Sequence, residues 1–124
     1  MIDPWDLHKD RSMRIARPGD VKTEWPYAWT QLLRDDPRIV TNTLLVGLLY
    51  ATWGDGRQLD WPVWPSHTTI AECAGLSRPT VCRHATKLRR LGYLTYADRH
   101  AYAARGLSFG ASDARVKAYL LTRP

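Results

Sequence analysis

The stretch PSHTTIAECAGLSRPTVCRHATKLRRLGYL, Pro65–Leu94, constrains the fold more than any other, because it carries two helix starts and two helix stops in one short run. Ser66 precedes HTTIAECAG, and a serine hydroxyl at that position accepts from the unpaired amides of a first helical turn. Ile70, Ala71 and Ala74 share one side of this helix. Gly75 closes it, since glycine takes a left-handed backbone without a Cβ penalty. Ser77 caps again, and Val81, Ala85, Leu88 and Leu91 then recur on one stripe until Gly92. Ala71 is small where the two helices cross, Leu76 fills the space beneath the turn, and Val81 packs back on the first helix. Two helices joined by a short glycine-containing turn make a helix-turn-helix, over about residues 66–91.

The flanks are read around this unit. Tyr93–Asp98 alternates and contains aromatics, which predicts a strand. Ala114–Thr122 predicts a second, with Val116, Ala118 and Leu120 on one face and Lys117 and Tyr119 on the other. Between them lies a basic segment with Arg99, Arg105, Gly106 and Gly110. Two antiparallel strands joined by a mobile basic loop make a wing over about residues 93–122. Upstream, residues 1–25 are expected as a tail or arm, with Asp3-Pro4 a possible helix start and Lys9, Arg11, Arg14 and Arg17 able to meet DNA. Trp25–Leu33 holds a short helix. Asp36 is expected to cap a central helix starting at Pro37, whose wide apolar face comprises Ile39, Val40, Leu44, Leu45, Leu48, Leu49 and Ala51. Gly54-Asp55-Gly56 ends it. Pro62 and Pro65 make residues 57–65 an edge strand or extended connector, with Trp61 and Trp64 over the core and base stacking by them the weaker alternative. The expected fold is therefore mainly α with a small antiparallel β-sheet, a winged helix-turn-helix domain over residues 26–124.

Charge is distributed unevenly. Over the 124 residues the formal balance is +6 and the pI about 9.7. Residues 1–76 carry 8 Lys/Arg against 10 Asp/Glu, whereas residues 77–124 carry 10 against 2. Gly75–Leu94 contains five cations and no carboxylate. A polyanion-binding surface in the C-terminal part follows from this asymmetry, with a solvated basic face as the bland alternative.

The run Pro65–Leu94 resembles the winged helix-turn-helix DNA-binding domains of bacterial repressors, most of all the gluconate-repressor class and small plasmid and phage regulatory proteins. The Pro65-Ser66 entry, Ile70-Ala71, Gly75-Leu76-Ser77-Arg78, Thr80-Val81 and the Leu88 to Leu94 ending carry the likeness. His84 stands where a small apolar residue is common. No effector domain is expected after the wing, so small-molecule sensing is not carried over. The resemblance implies a sequence-specific double-stranded DNA-binding protein, a transcriptional repressor acting by occupancy. A replication or partition accessory factor and a protein-interaction winged helix without a DNA site stand as alternatives.

Turning 100° per residue from Val81 places Pro79, Arg83, Thr86 and Arg90 opposite the core, with Thr80 and Lys87 beside them. Arginine can donate two hydrogen bonds to guanine O6 and N7, and residues near the helix start reach deepest. Ser77, Arg78, Thr80 and Arg83 are thus the expected base readers. Lys87, Arg89 and Arg90 are assigned to phosphate, Arg99 and Arg105 to the wing's contribution, and the amides near His67 and Thr68 to a further phosphate. A homodimer on a palindromic or repeated site is expected, with the central helix and the N-terminal segment as interfaces.

No enzyme is expected. The chain has no phosphate-cradling glycine loop and no Ser/His/Asp arrangement, and Asp35-Asp36 reads more simply as a helix start than as an acid/base pair. Cys73, Cys82, His67 and His84 fit no compact zinc spacing, so no metal or cofactor is assigned. With no N-terminal signal and no apolar run near the roughly 20 residues a bilayer needs, the expected location is the cytoplasm, at the nucleoid and away from membranes, with thiols reduced.

Overall fold

The computed structural model describes residues 14–107 and 117–124. The described elements in chain order are β1 (Ile15–Ala16), α1 (Pro26–Asp35), α2 (Thr41–Ala51), α3 (His67–Ala74), α4 (Arg78–Arg90), β2 (Leu94–Ala97), α5 (Arg99–Ala103) and β3 (Tyr119–Leu121). The molecule is mainly helical with a small three-stranded sheet. The strand order is β1-β2-β3, with β1 parallel to β2 and β2 antiparallel to β3. The sheet is therefore mixed, where antiparallel pairing alone was expected.

Residues 14–25, expected as part of a tail, enter this sheet. Ile15 pairs with Tyr96 and Ala16 with Ala97, Ala16 is fully buried, and Thr23 bridges Thr122. The Asp3-Pro4 start, Lys9 and Arg11 lie outside the described residues. Arg17 meets Asp98 at 3.6 Å, and Arg14 donates to the Asp20 carbonyl at 3.4 Å.

Helix α1 begins with proline, whose missing amide is no loss in a first turn, and buries Trp29 and Leu33 one turn apart. Trp29 Nε1 donates to the carbonyls of Tyr93 and Thr122 at 2.9 and 3.0 Å, which fastens the helix to β2 and β3. Asp36 does not cap a helix at Pro37. A residue before proline is pushed to extended backbone, and Asp36, at φ −91° and ψ 113°, ends α1 instead. Ile39 N–H closes a turn on the Asp36 carbonyl at 3.0 Å, and α2 starts only at Thr41. The Asp36 carboxylate accepts from Arg38 at 2.7 Å and from the Tyr93 hydroxyl at 2.6 Å. Those two donors, Arg38 first, hold it well below the usual carboxylate range.

The buried side of α2 is Thr43, Val46, Gly47, Tyr50 and Ala51 rather than the expected leucines. Leu48 is 39% exposed and Val40 57% exposed, while Leu44, Leu45 and Leu49 are half-buried. The helix packs against α1, α3 and α4, and the α1 crossing is close. A Cβ at Gly47 would run into Leu33 Cδ1.

The connector is as expected: Val63 exchanges two hydrogen bonds with Tyr119, at 2.7 and 2.8 Å, on the far edge of β3. The two faces of β3 serve two cores. Tyr119 and Leu121 join Trp29, Tyr50, Ile70, Val81 and Leu88, whereas Ala118 and Leu120 join Ala16, Tyr102 and Leu107, with Trp61 and Trp64 packed alongside.

The segment after β2 is not an open loop at its start. Asp98 caps α5, accepting from the His100 and Ala101 amides, and the helix buries Tyr102. The Tyr102 hydroxyl donates to Asp60 at 2.7 Å. Gly110, Ala114 and Val116 lie outside the described residues. Among those described, no helix is long and apolar enough to cross a membrane.

Candidate nucleic-acid interface

The α3–α4 pair is built from local signals that all act as the sequence suggests. Ser66 Oγ accepts from Thr69 N–H at 3.0 Å and Ser77 Oγ from Thr80 N–H at 3.3 Å, so each helix has a side-chain cap. Gly75, at φ 69° and ψ 30°, takes the left-handed turn, and Leu76 N–H returns to the Ala71 carbonyl at 3.1 Å. Ile70, Val81, Ala85 and Leu88 are fully buried between the helices and the core. His84, the departure from the familiar pattern, is half-buried and meets the fully buried Thr43 hydroxyl through Nδ1 at 2.8 Å.

The other side of α4 faces solvent. Arg78, Pro79, Cys82, Arg83 and Arg90 are exposed, and Thr80, Thr86 and Lys87 are half-buried beside them. Arg83 Nη2 donates to Thr80 Oγ1 at 3.2 Å, which leans the guanidinium toward the start of the helix. A depression of about 510 Å³ runs along this side, lined by Cys82, Arg83, Thr86, Lys87 and Arg90. Arg78, Arg83 and Lys87 form no ion pair among the described residues. Ser77 and Thr68 are exposed at the starts of their helices.

Both histidines of the pair feel nearby cations. Burial, then Arg89, Arg78 and Lys117, push the His67 imidazole below its ordinary value. Burial, then Arg83 and Lys87, do the same for His84. The expectation for His67 concerned its amide at the helix start; its side chain turns inward and meets the Tyr119 hydroxyl at 2.9 Å.

Arg89 does not lie on this face. It is 7% exposed, with its guanidinium 4.7 Å over the Tyr96 ring and 5.8 Å from that of Tyr119. Nη1 donates to the Tyr119 hydroxyl at 3.3 Å and Nη2 to Thr86 Oγ1 at 2.9 Å. The assignment of Arg89 to phosphate at the helix surface is corrected. It follows Ala85 by four residues, and that spacing puts it at the edge of the buried stripe.

Arg99 and Arg105, assigned to a wing, also differ from the expectation of a mobile loop. Arg99 is the half-buried first residue of α5. Arg105 meets Asp60 at 3.5 Å and lies 5.8 Å over the Tyr102 ring, so its charge is already engaged. Cys73 and Cys82 are exposed free thiols. Asp35 pairs with Arg34 at 2.9 Å and Asp36 with Arg38.

Comparison of the chain with protein-family models, with curated proteins and with solved structures finds no match.

Proposed function

We propose that this protein binds double-stranded DNA through the outward face of α4, in a winged helix-turn-helix arrangement with β2 and β3 as the base of the wing. One observation carries the reading: Arg83, Lys87 and Arg90 share the solvent side of a capped helix without a carboxylate, and Arg78 stands at its start. A helix set in the major groove reads base edges with its first turns and meets phosphate with its later ones. Ser77, Arg78, Pro79, Thr80 and Arg83 are therefore the proposed reading end. Lys87 and Arg90 contact phosphate, as do the amides of His67 and Thr68 at the start of α3. Arg89 is not in the contact set, and Arg105 is held by Asp60.

The physiological form we propose is a repressor that blocks polymerase by occupying an operator. Selection of bound fragments from a random duplex pool tests the reading. A reproducible motif supports sequence-specific binding, and its position at promoters or at an origin separates repression from a replication or partition role. Recovery without a motif defeats sequence-specific reading.

A second copy of the chain is the proposed partner on DNA. Helix α2 carries no charged residue and exposes Leu48, with Val40 exposed just before its start, so two such faces can meet without burying a charge. Sedimentation at micromolar concentration, free and on the selected site, decides between a dimer and a monomer.

A further inference from the structure

A separate cleft of about 360 Å³ lies at the C-terminal end of α4, where Arg89 and Gly92 meet Thr95, Thr122 and the segment preceding α1. Among the described residues, four cations line it: Arg14, Lys22, Arg89 and Arg123. They come from three distant parts of the chain, so no single run of sequence reveals their convergence. Among the described residues one side-chain carboxylate, Asp20, shares the lining, and it accepts from the Arg17 amide at 2.9 Å. Glu24 pairs with Arg123 at 3.1 Å. Lys22 makes no ion pair among the described residues.

Arg89 sharpens the imbalance. A guanidinium stays charged at any ordinary pH, and a buried charge is costly without a counter-ion. Arg89 is buried against two tyrosine rings, pairs with no carboxylate among the described residues, and its Nε has no hydrogen-bond partner. Among the described side chains, four cations stand against the carboxylates of Asp20 and Glu24, so positive side chains predominate around one concave site that Pro124 also lines.

The neutral part of the lining does not offset this predominance. Thr122 Oγ1 donates to the Gly92 carbonyl at 2.7 Å, so at its 3.1 Å contact with Thr95 it must accept. Both hydroxyl protons are thereby committed inside the protein. Recognition falls to the cationic side chains, and two of the exposed ones are arginines, whose planar forks suit an oxyanion.

We propose that this cleft is a phosphate-binding site, gripped by Arg14, Lys22 and Arg123, with the buried charge of Arg89 adding to its positive field. The predominance of cationic side chains suits a multiply charged phosphate, and the volume admits more than one phosphoryl group. The phosphate belongs either to a free small molecule or to the backbone of a duplex held on α4. The site stands on its own residues and does not depend on base reading by α4.

The test uses inorganic pyrophosphate at constant ionic strength, read by thermal unfolding, and a random-sequence duplex read by anisotropy. A saturable rise in Tm whose midpoint concentration shifts at least tenfold in Lys22→Ala/Arg123→Ala, but not in Arg83→Ala/Lys87→Ala, establishes a site for a free phosphate compound. If pyrophosphate has no effect but Lys22→Ala/Arg123→Ala weakens the duplex at least fivefold, the phosphate is the duplex's own. Lys22→Glu reverses a charge without removing an ion pair or hydrogen bond, and it gives the same losses even where loss of the Arg123–Glu24 pair harms folding. The proposal is overturned if pyrophosphate binding is unchanged in the cleft variants or is lost equally in the α4-face variant. It is also overturned if neither ligand responds to any cleft variant. A protein that binds no duplex at all still answers through the pyrophosphate arm, so failure of the DNA reading is distinguishable.

Discussion

The guanidinium carbon of Arg89 lies over the ring of Tyr96, 4.7 Å from its centroid, and the side chain pairs with no carboxylate among the described residues. Cation–π attraction and two hydrogen bonds to hydroxyls hold it there, against the cost of desolvating a charge whose Nε finds no acceptor. These opposing contributions are of similar size. Arg89→Met keeps the stem's packing and removes the desolvation cost. Tyr119 keeps its contact with His67, and Thr86 is exposed enough to reach water. Arg89→Met is therefore expected to stay within about 1 kcal/mol of the parent or to gain stability. Arg89→Ala leaves a cavity under two tyrosines and should cost about 2 kcal/mol or more. Urea unfolding of both variants checks this. Equal losses would mean that the charge itself stabilises the fold.

Asp60 holds the second core together from an unusual backbone position. Its φ of 65° is left-handed, a conformation that aspartate tolerates better than most residues. Its carboxylate accepts from the Tyr102 hydroxyl at 2.7 Å and the Gly19 amide at 3.2 Å, and meets Arg105 at 3.5 Å. Burial, followed by Asp60, pushes the Tyr102 hydroxyl above its ordinary range, so it remains a donor. Asp60→Ala loses these contacts and strains the backbone, for an expected cost of about 2–4 kcal/mol. Asp60→Gly relieves the backbone and should recover part of that. If Asp60→Gly were as stable as the parent, the carboxylate contacts would be worth nothing.

The helix pair was legible in the sequence because its determinants are local. Two serine caps, Gly75 and the Val81–Ala85–Leu88 stripe each act within a few residues. The face of α2 was not legible, because beyond its first turn the helix is apolar all round and carries no charge to mark its outer side. Its close crossing against α1 is made by Gly47, a residue that burial arguments based on large side chains overlook. β1 had no local signal at all. It is two residues long and finds its partner some 80 residues along the chain. α5 did have one, the Asp98 cap before an alanine-rich turn, but Gly106 and Gly110 drew the reading toward a loop. For the candidate interface, the exposed face of α4 follows from the wheel, and Arg89 fails because its i,i+4 relation to Ala85 outweighs its charge.

Stability should fall as pH drops below neutrality. Burial and nearby cations lower the imidazoles of both His67 and His84 in the folded state, while in the unfolded chain each titrates near its ordinary value of about 6.5. The folded protein thus binds fewer protons than the unfolded one. Its advantage is complete above about pH 6.5 and is lost as pH falls toward the lowered folded values. Asp36, already held far below the usual carboxylate range, contributes nothing to this slope until much lower pH. Urea midpoints from about pH 7.5 to pH 5 should decline for the parent and flatten in a His67→Gln/His84→Gln variant. An unchanged slope in that variant would place the pH dependence elsewhere.

The comparison of Arg83 with Arg90 decides whether α4 reads bases. Both are exposed on the same side, and Arg83 lies two turns nearer the helix start, leaning on Thr80 Oγ1. In a groove-bound helix the start reaches base edges and the end meets backbone. Arg83→Ala should then cost about 1–3 kcal/mol on the selected site and relax preference at one base pair, a guanine by the geometry of its two donors. Arg90→Ala should weaken selected and scrambled duplexes alike and make the log–log salt slope shallower by about one unit. Neither side chain belongs to the Val81–Ala85–Leu88 stripe, so folding should be little changed in both. Anisotropy titrations of the two variants on both duplexes, at several salt concentrations, provide the measurement. A uniform loss for both would lay the helix along the backbone rather than in the groove, and base reading by α4 would be withdrawn.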